Sequence, residues 1–357
     1  MSGFPADADA VTGNWLTRQL KATPLEQRGA VSLVSWEPIG TGQVGDSVRF
    51  HLTHAGSDAP STTLAAKFPA ADQASQATAV MLNLYAKEVA FYTDIAPMLA
   101  VRTPHVFAGE ISEDGSEFVL LFEDLGPARG GNQIAGCSID DARAAICQAA
   151  AFHAPSWHNP AIEAADWLQP SEALNSQIKM LYPQAQKTFA ERYGDVLEPE
   201  FMALCETLGS QPELLTQRRA ELQCVVHGDF RLDNMLFDIK GGAEPIAVLD
   251  WQTVTYGNAM TDIGYFLGCG IGDELRRGYE DELLDLYCAE MTARGVPLSR
   301  ADIWTDYRKG ALHGVTTAVF SAAFVERTER GDANFLSMAR GACALALEHD
   351  SLGALQS

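Results

Sequence analysis

Along the first third of the chain, apolar positions come in short runs and alternations. Beyond about residue 130 they mostly recur every three or four positions. Val31–Ser35 is a compact β-prone run leading to Trp36, Glu37 and Pro38. Val48, Phe50 and Leu52 alternate with Arg49 and His51, the period-two pattern of a strand with one buried face. Thr62–Phe68 reads as another strand. From Gln73 to Leu99 the period becomes helical, with Val80, Leu84, Phe91 and Ile95 on one stripe. Phe118–Phe122 is a short apolar strand, and the breaker-rich residues Glu123–Pro127 that follow suit a hinge. Helical patterns then run over Asp140–His153, Ser171–Leu208, Glu274–Arg294 and Ala301–Arg327. Two short apolar strands between about 222 and 252 interrupt them. The pattern predicts an α+β protein with a small β-rich lobe over 1–122, a hinge at 123–127 and a larger helical lobe over 128–357. A cleft between such lobes is where ligands tend to bind.

The length of 357 residues suits two lobes with a sizeable core. The net charge of −22 argues against nucleic acid or an anionic membrane as a partner, because no basic face is available to release counterions. No stretch approaches the roughly 18–20 apolar residues of a membrane span. Met1–Asp7 has neither a basic nor an apolar leader region, so a cytoplasmic location is expected. The seven cysteines show no CxxC spacing and read as reduced packing residues.

The densest chemical signal is Val225–Asn234 followed by Val248–Trp251. Met235–Phe237 and Ile246–Leu249 are apolar, with a turn-like Lys240–Ala243 between them, which predicts a hairpin. Asn234 lies eight residues before Gly242 and Asp250 eight after it, so the two should sit side by side at the open end. A carboxamide oxygen beside a carboxylate suits magnesium. Asp229, just before the hairpin, could accept a proton from a hydroxyl while the metal holds a phosphate. Taken singly, each of the three would more often be a turn former or strand cap; the set points to phosphoryl transfer.

Upstream, Gly40, Gly42 and Gly45 form a GxGxxG motif. In a dinucleotide site a helix follows such glycines. Here a strand follows, as in a loop that covers the phosphates of a nucleotide. Lys67 lies on a strand, where a solvated edge would be its ordinary fate. Glu88 lies within the apolar stripe of its helix, four residues after Leu84 and three before Phe91. A carboxylate on a buried face needs a partner. Lys67 is the candidate, and such a pair positions the α- and β-phosphates of ATP. At the hinge, backbone groups near Glu123 and Leu125 could meet an adenine edge, or the segment is a plain connector.

In this order, the glycine loop, strand Lys, helix Glu, acidic hinge, His227–Asn234 and Leu249–Trp251 resemble the aminoglycoside phosphotransferase and choline kinase group, enzymes with a protein-kinase-like fold. Glu88–Tyr92, Glu123–Leu125 and Ala150–Ala154 look most like its ecdysteroid-kinase-like branch. His227–Asn234 also resembles the kinase-like domains fused to some acyl-CoA dehydrogenases. The resemblance spans about 36 to 270; Trp157–Leu222 and everything after Gly272 match no motif. It implies a bilobal fold that uses ATP and Mg2+, with Asp229 as catalytic base and Asn234 and Asp250 as metal ligands. It makes Lys67 with Glu88 the phosphate anchor and His227 an orienting residue. Asp262 would brace the catalytic loop or, alternatively, act as a helix N-terminal acid. His153 is better read as a packed core histidine. Asp250 is followed by Trp251-Gln252 and no Ala-Pro-Glu occurs downstream, which disfavours a phosphorylation-switched loop and a protein substrate. The expected activity is a small-molecule kinase acting on a hydroxyl. Its competitors are a non-catalytic nucleotide binder and an antibiotic kinase. Trp304, Phe320, Phe324 and Phe335 suggest either an apolar acceptor pocket or ordinary core.

Overall fold

The computed structural model describes residues 3–40, 44–56, 61–216, 222–324 and 327–355. The chain divides into two compact units. The first comprises Met1–Met98, Arg102–Ala128 and Asp238–Thr253, and the second comprises Leu99–Val101, Arg129–Phe237 and Val254–Ser357.

The first unit is built on five antiparallel strands: β1 (Val31–Pro38), β2 (Gly45–His54), β3 (Thr62–Pro69), β4 (Val106–Ile111) and β5 (Phe118–Glu123), in the order β1-β2-β3-β5-β4. Alternation along β3 sends Leu64, Ala66 and Phe68 to one face. There they pack with Phe50, Leu52, Val119 and Leu121 against Trp15 and Leu16 of helix α1 (Gly13–Gln19) and the Leu20 that follows it. Lys67 therefore points to the other face. Gln73–Leu99, expected as one helix, is broken into α2 (Gln73–Met81), α3 (Leu84–Ala90) and a π-turn over Phe91–Ile95. Asn83 causes the first break: its φ of 56° is left-handed, a conformation Asn tolerates better than most residues. β4 escapes the sequence pattern because only Ala108 of its six residues is buried.

Asp238–Thr253 packs with this unit although it lies far along the chain. The strand Glu244–Val248 donates the Val248 N–H to the Arg102 carbonyl at 2.9 Å. Trp251, fully buried, stacks on Phe91 with centroids 3.9 Å apart and planes at 7°. The turn before that strand carries left-handed backbone at Asp238, Lys240, Gly241 and Gly242.

The second unit is mainly helical: α4 (Ile139–Ser156), α5 (Glu172–Tyr193), α6 (Pro199–Ser210), α7 (Met260–Tyr265), α8 (Asp273–Ala293), α9 (Arg300–Phe324) and α10 (Glu329–Glu348). Antiparallel strands β6 (Gln223–Val226) and β7 (Thr255–Asn258) flank the motif region. Ser171–Leu208, read as one helical pattern, is two helices, with Pro199 starting the second. α10, which no motif marks, buries Phe335, Met338, Ala339, Ala342, Leu345 and Ala346 at helical spacing. All seven cysteines are free thiols, and five of them are buried. Among the described residues no helix is long and apolar enough to cross a membrane.

Trp251→Ala should remove about 3–5 kcal/mol of stability through the cavity it leaves. Trp251→Phe, which keeps a ring over Phe91, should lose clearly less. Urea unfolding of the three proteins checks this, and a loss below about 1 kcal/mol for the alanine variant would contradict the packing described.

Candidate active site

In the first unit, Lys67, Glu88 and Asp250 converge. The Lys67 ammonium lies 2.7 Å from Glu88 Oε2, 2.9 Å from Glu88 Oε1 and 2.9 Å from Asp250 Oδ1. Three features bring them together. β3 turns Lys67 away from the α1 face. α3 presents Glu88, only 1% exposed, on its buried side. Asp250 follows the strand Glu244–Val248 in left-handed backbone, φ 62°. Burial alone would depress the Lys67 pKa; Asp250 and then Glu88 more than reverse this and raise it. Burial pushes the Glu88 carboxyl up, with the Lys67 charge opposing. Among the described residues, Asp250 Oδ2 has a single long contact, 3.4 Å from the Gln252 amide, so it is available to a cation.

The glycine motif lies between β1 and β2. Gly40 has a φ of 78° that favours glycine. A Cβ on Gly45 would press on Lys67 Cε at 3.0 Å and the Phe68 carbonyl at 3.2 Å. Gly42 lies outside the described residues. At the hinge, the Glu123 side chain is engaged with the protein itself: Arg102 Nη1 and Lys240 Nζ each approach at 2.5 Å, and the His105 N–H donates at 2.8 Å. Burial would raise this carboxyl, but those hydrogen bonds overcome it and bring its pKa down to about 2. The Leu125 carbonyl accepts the Lys240 N–H at 2.8 Å.

In the second unit, the segment between β6 and Asn234 wraps around Asp229. Its Oδ1 accepts from the Tyr265 hydroxyl at 2.9 Å, and its Oδ2 accepts from Asn234 Nδ2 at 2.8 Å. Arg231 Nε lies 3.0 and 3.1 Å from the two oxygens. Burial would raise the Asp229 carboxyl; the Arg231 guanidinium and these hydrogen bonds more than offset it and hold the pKa low. Asn234 Nδ2 also donates to the Asp229 carbonyl at 2.9 Å. Both amide hydrogens are thereby used, which leaves Oδ1 as the atom able to ligate a cation. His227 is fully buried, and its Nδ1 accepts the Asp229 N–H at 3.2 Å. Asp262, fully buried, accepts the His227 and Gly228 N–H groups at 2.8 and 2.9 Å. His153 sits in the core between the Tyr287 hydroxyl (3.0 Å) and Asp262 (3.3 Å).

Several residues around Asp229 escape the sequence reading. Arg231 lies inside the motif, yet its type alone gave it no role. Tyr265 follows Asp262 without any periodic signal of its own. His313, 85 positions from Gly228, holds that carbonyl through Nε2 at 2.7 Å. Gln133 accepts the Leu232 N–H at 3.2 Å, and its backbone N–H donates to Asp233 at 2.9 Å. The suggested aromatic set does not gather at one place. Phe320 and Phe324 adjoin, 4.8 Å between centroids, and Tyr182 stacks on Phe320 at 6.3 Å. Trp304, near the other end of α9, packs on Tyr307 and His349 instead.

A sequence profile described as the ecdysteroid kinase-like family matches residues 47–295. The mouse (Mus musculus) acyl-CoA dehydrogenase family member 11 is 49% identical over 43 residues, 12% of this chain and 5% of that protein. Mouse acyl-CoA dehydrogenase family member 10 is 47% identical over 47 residues, 13% of this chain and 4% of that protein. These matches span only a small part of much longer relatives. The GDP complex of wild-type aminoglycoside 2′-phosphotransferase-IIIa aligns with a TM-score of 0.56 at 16% identity, covering 94% of this chain and 99% of that one. The GDP and kanamycin complex of APH(2″)-IIIa gives 0.50 at 18% identity, covering 86% and 90%. The fold is that of the protein-kinase-like phosphotransferases.

Because its folded pKa is depressed, Glu123 contributes stability that is present above its ordinary value of 4.5 and fades as pH falls toward about 2. Glu123→Gln should therefore cost on the order of 1–3 kcal/mol at pH 7, with the gap to wild type shrinking at pH 3. Urea unfolding at the two pH values checks the sign; a gap that widens in acid would refute it.

Proposed function

Because the chain belongs to the ecdysteroid kinase-like family, we propose that it is an ATP- and magnesium-dependent kinase that phosphorylates a hydroxyl of a small molecule. The observation that carries this reading is the Lys67 ammonium held between buried Glu88 and Asp250. A fixed cation of this kind, with a carboxylate oxygen still open beside it, suits the anchoring of a nucleotide triphosphate. Lys67 would bind the α- and β-phosphates, and Gly40, Gly42 and Gly45 would bring backbone close to them. With the Leu125 carbonyl taken by Lys240 and the Glu123 N–H donated to the His105 carbonyl at 2.9 Å, the Leu125 N–H and the Glu123 carbonyl are the groups that would meet an adenine edge.

Asn234 Oδ1 and Asp250 Oδ2 fit a hard cation, since each is an oxygen donor left open by the bonds its neighbour atom makes. The chemistry magnesium supplies when bound is neutralisation of charge on the phosphate oxygens. Asp229, kept ionised, would accept the hydroxyl proton as the acceptor oxygen forms its bond to the γ-phosphorus and the bond to the ADP oxygen breaks. His227 would orient Asp229 by accepting the Asp229 N–H at its Nδ1, and Asp262 would hold the loop backbone. The aromatic run Tyr182–Phe320–Phe324, with Phe324 more than half exposed, favours an acceptor with an apolar body.

The test is incubation with MgATP and a panel of steroidal and aliphatic alcohols, amino alcohols and aminoglycosides, with mass spectrometry reading new phosphate esters. Asp229→Asn should reduce transfer by about 10²–10⁴-fold while ATP binding persists, and chelation of magnesium should abolish it. ATP binding by the wild type without transfer to any alcohol would favour a non-catalytic nucleotide binder.

A further inference from the structure

α7 and α9 cross at unusually close range. A Cβ on Gly310 would overlap the Met260 carbonyl, and one on Gly264 would lie 2.6 Å from the Ala311 backbone nitrogen. Real Cβ atoms do not approach backbone this closely, so the crossing requires glycine on both helices. The contact has a consequence one turn further along. It brings His313 of α9 onto the loop that carries Asp229 and onto the ring of Tyr265.

Tyr265 is fully buried at the end of α7, and its hydroxyl donates to Asp229 Oδ1 at 2.9 Å. The His313 ring meets the Tyr265 ring edge-on, with centroids 5.2 Å apart and planes at 81°, a favourable aromatic geometry. Its Nε2 lies 2.7 Å from the Gly228 carbonyl. A carbonyl can only accept, so Nε2 carries the hydrogen. His313 thus grips the peptide just before Asp229 and also backs the ring whose hydroxyl grips the carboxylate. On the other side Asn234 holds Oδ2. The orientation of the carboxylate is set from two directions, one of them supplied by residues outside every sequence motif.

We propose that Tyr265 and His313 are positioning residues for proton abstraction by Asp229. Tyr265 fixes Oδ1 as a neutral donor, and His313 fixes the Gly228 peptide and the Tyr265 ring. The Arg231 guanidinium, shared between both oxygens and itself held by Asp233 at 3.1 Å, adds a charged contact to these two. This rests on the reading of Asp229 as the proton acceptor.

Tyr265→Phe removes one oxygen and keeps the ring. It should lower kcat about ten- to a hundredfold while the KM for MgATP, the affinity for a non-hydrolysable ATP analogue and the melting temperature stay near wild type. The acceptor is whichever alcohol the panel shows to be phosphorylated, and water, read as ADP release, where none is. His313→Gln, which retains a donor for the Gly228 carbonyl, should keep most activity, whereas His313→Leu should fall with Tyr265→Phe. Wild-type kcat in Tyr265→Phe, with Asp229→Asn inactive, overturns the inference and leaves the kinase reading standing. Undiminished turnover in Asp229→Asn overturns the reading of Asp229 as the proton acceptor, on which this inference rests. Equal losses in His313→Gln and His313→Leu, or a melting temperature that falls in step with kcat, would make the pair merely structural and overturn the proposal.

Discussion

An ammonium taken out of water must be matched by negative charge close by, and Lys67 meets that demand with two carboxylates within 3 Å. The first unit is arranged around this requirement. Alternation along β3 must place Lys67 opposite the α1 face. The break at Asn83 must reset the helix so that Glu88 turns inward. The chain must return after a long excursion to supply Asp250, with Trp251 stacked on Phe91 to seat it. Removing Lys67 would leave two carboxylates facing each other without their cation, a fault of roughly 3–5 kcal/mol, whereas losing either carboxylate still leaves the ammonium one partner.

The second unit solves a related problem with hydrogen bonds. Asp262 has no solvent contact, yet its carboxylate is satisfied by two consecutive loop N–H groups and by His153. That arrangement fixes the peptide plane ahead of Asp229 from below, while His313 takes the Gly228 carbonyl from another side. A loop gripped at its N–H groups and its carbonyl has little freedom to drift, which suits a carboxylate that must meet an incoming proton within hydrogen-bond reach.

How far the sequence alone revealed this depends on the range of each interaction. Lys67 and Glu88 were legible because a carboxylate on an apolar helical stripe is a local anomaly that demands a partner. The Asp229–Asn234 spacing was legible because it lies within one loop. The second partner of Lys67 was not, since nothing near Asp250 points back to β3. Tyr265 and His313 were hidden for the same reason: each is an ordinary residue of an ordinary helix, and only the glycine crossing of α7 and α9 brings them to the loop. Within the folds of the helices, Asn83 showed as one more polar residue, although its left-handed backbone divides a long helix. The buried stripe of α10, at 335, 338, 342 and 345, keeps helical spacing, so this helix was open to the periodicity argument.

The return of Asp238–Thr253 to the first unit matters while the chain is being made. A ribosome that has released the five-stranded sheet and α3 has not yet released Asp250 or Trp251. At typical elongation rates the interval is on the order of ten seconds. During it Lys67 and Glu88 have only one another, and the ring of Phe91 has no Trp251 to cover it. The nascent first unit is therefore an open intermediate, exposed to chaperones and proteases until the helical segment in between has been synthesised, and its final closure is coupled to the birth of the second unit.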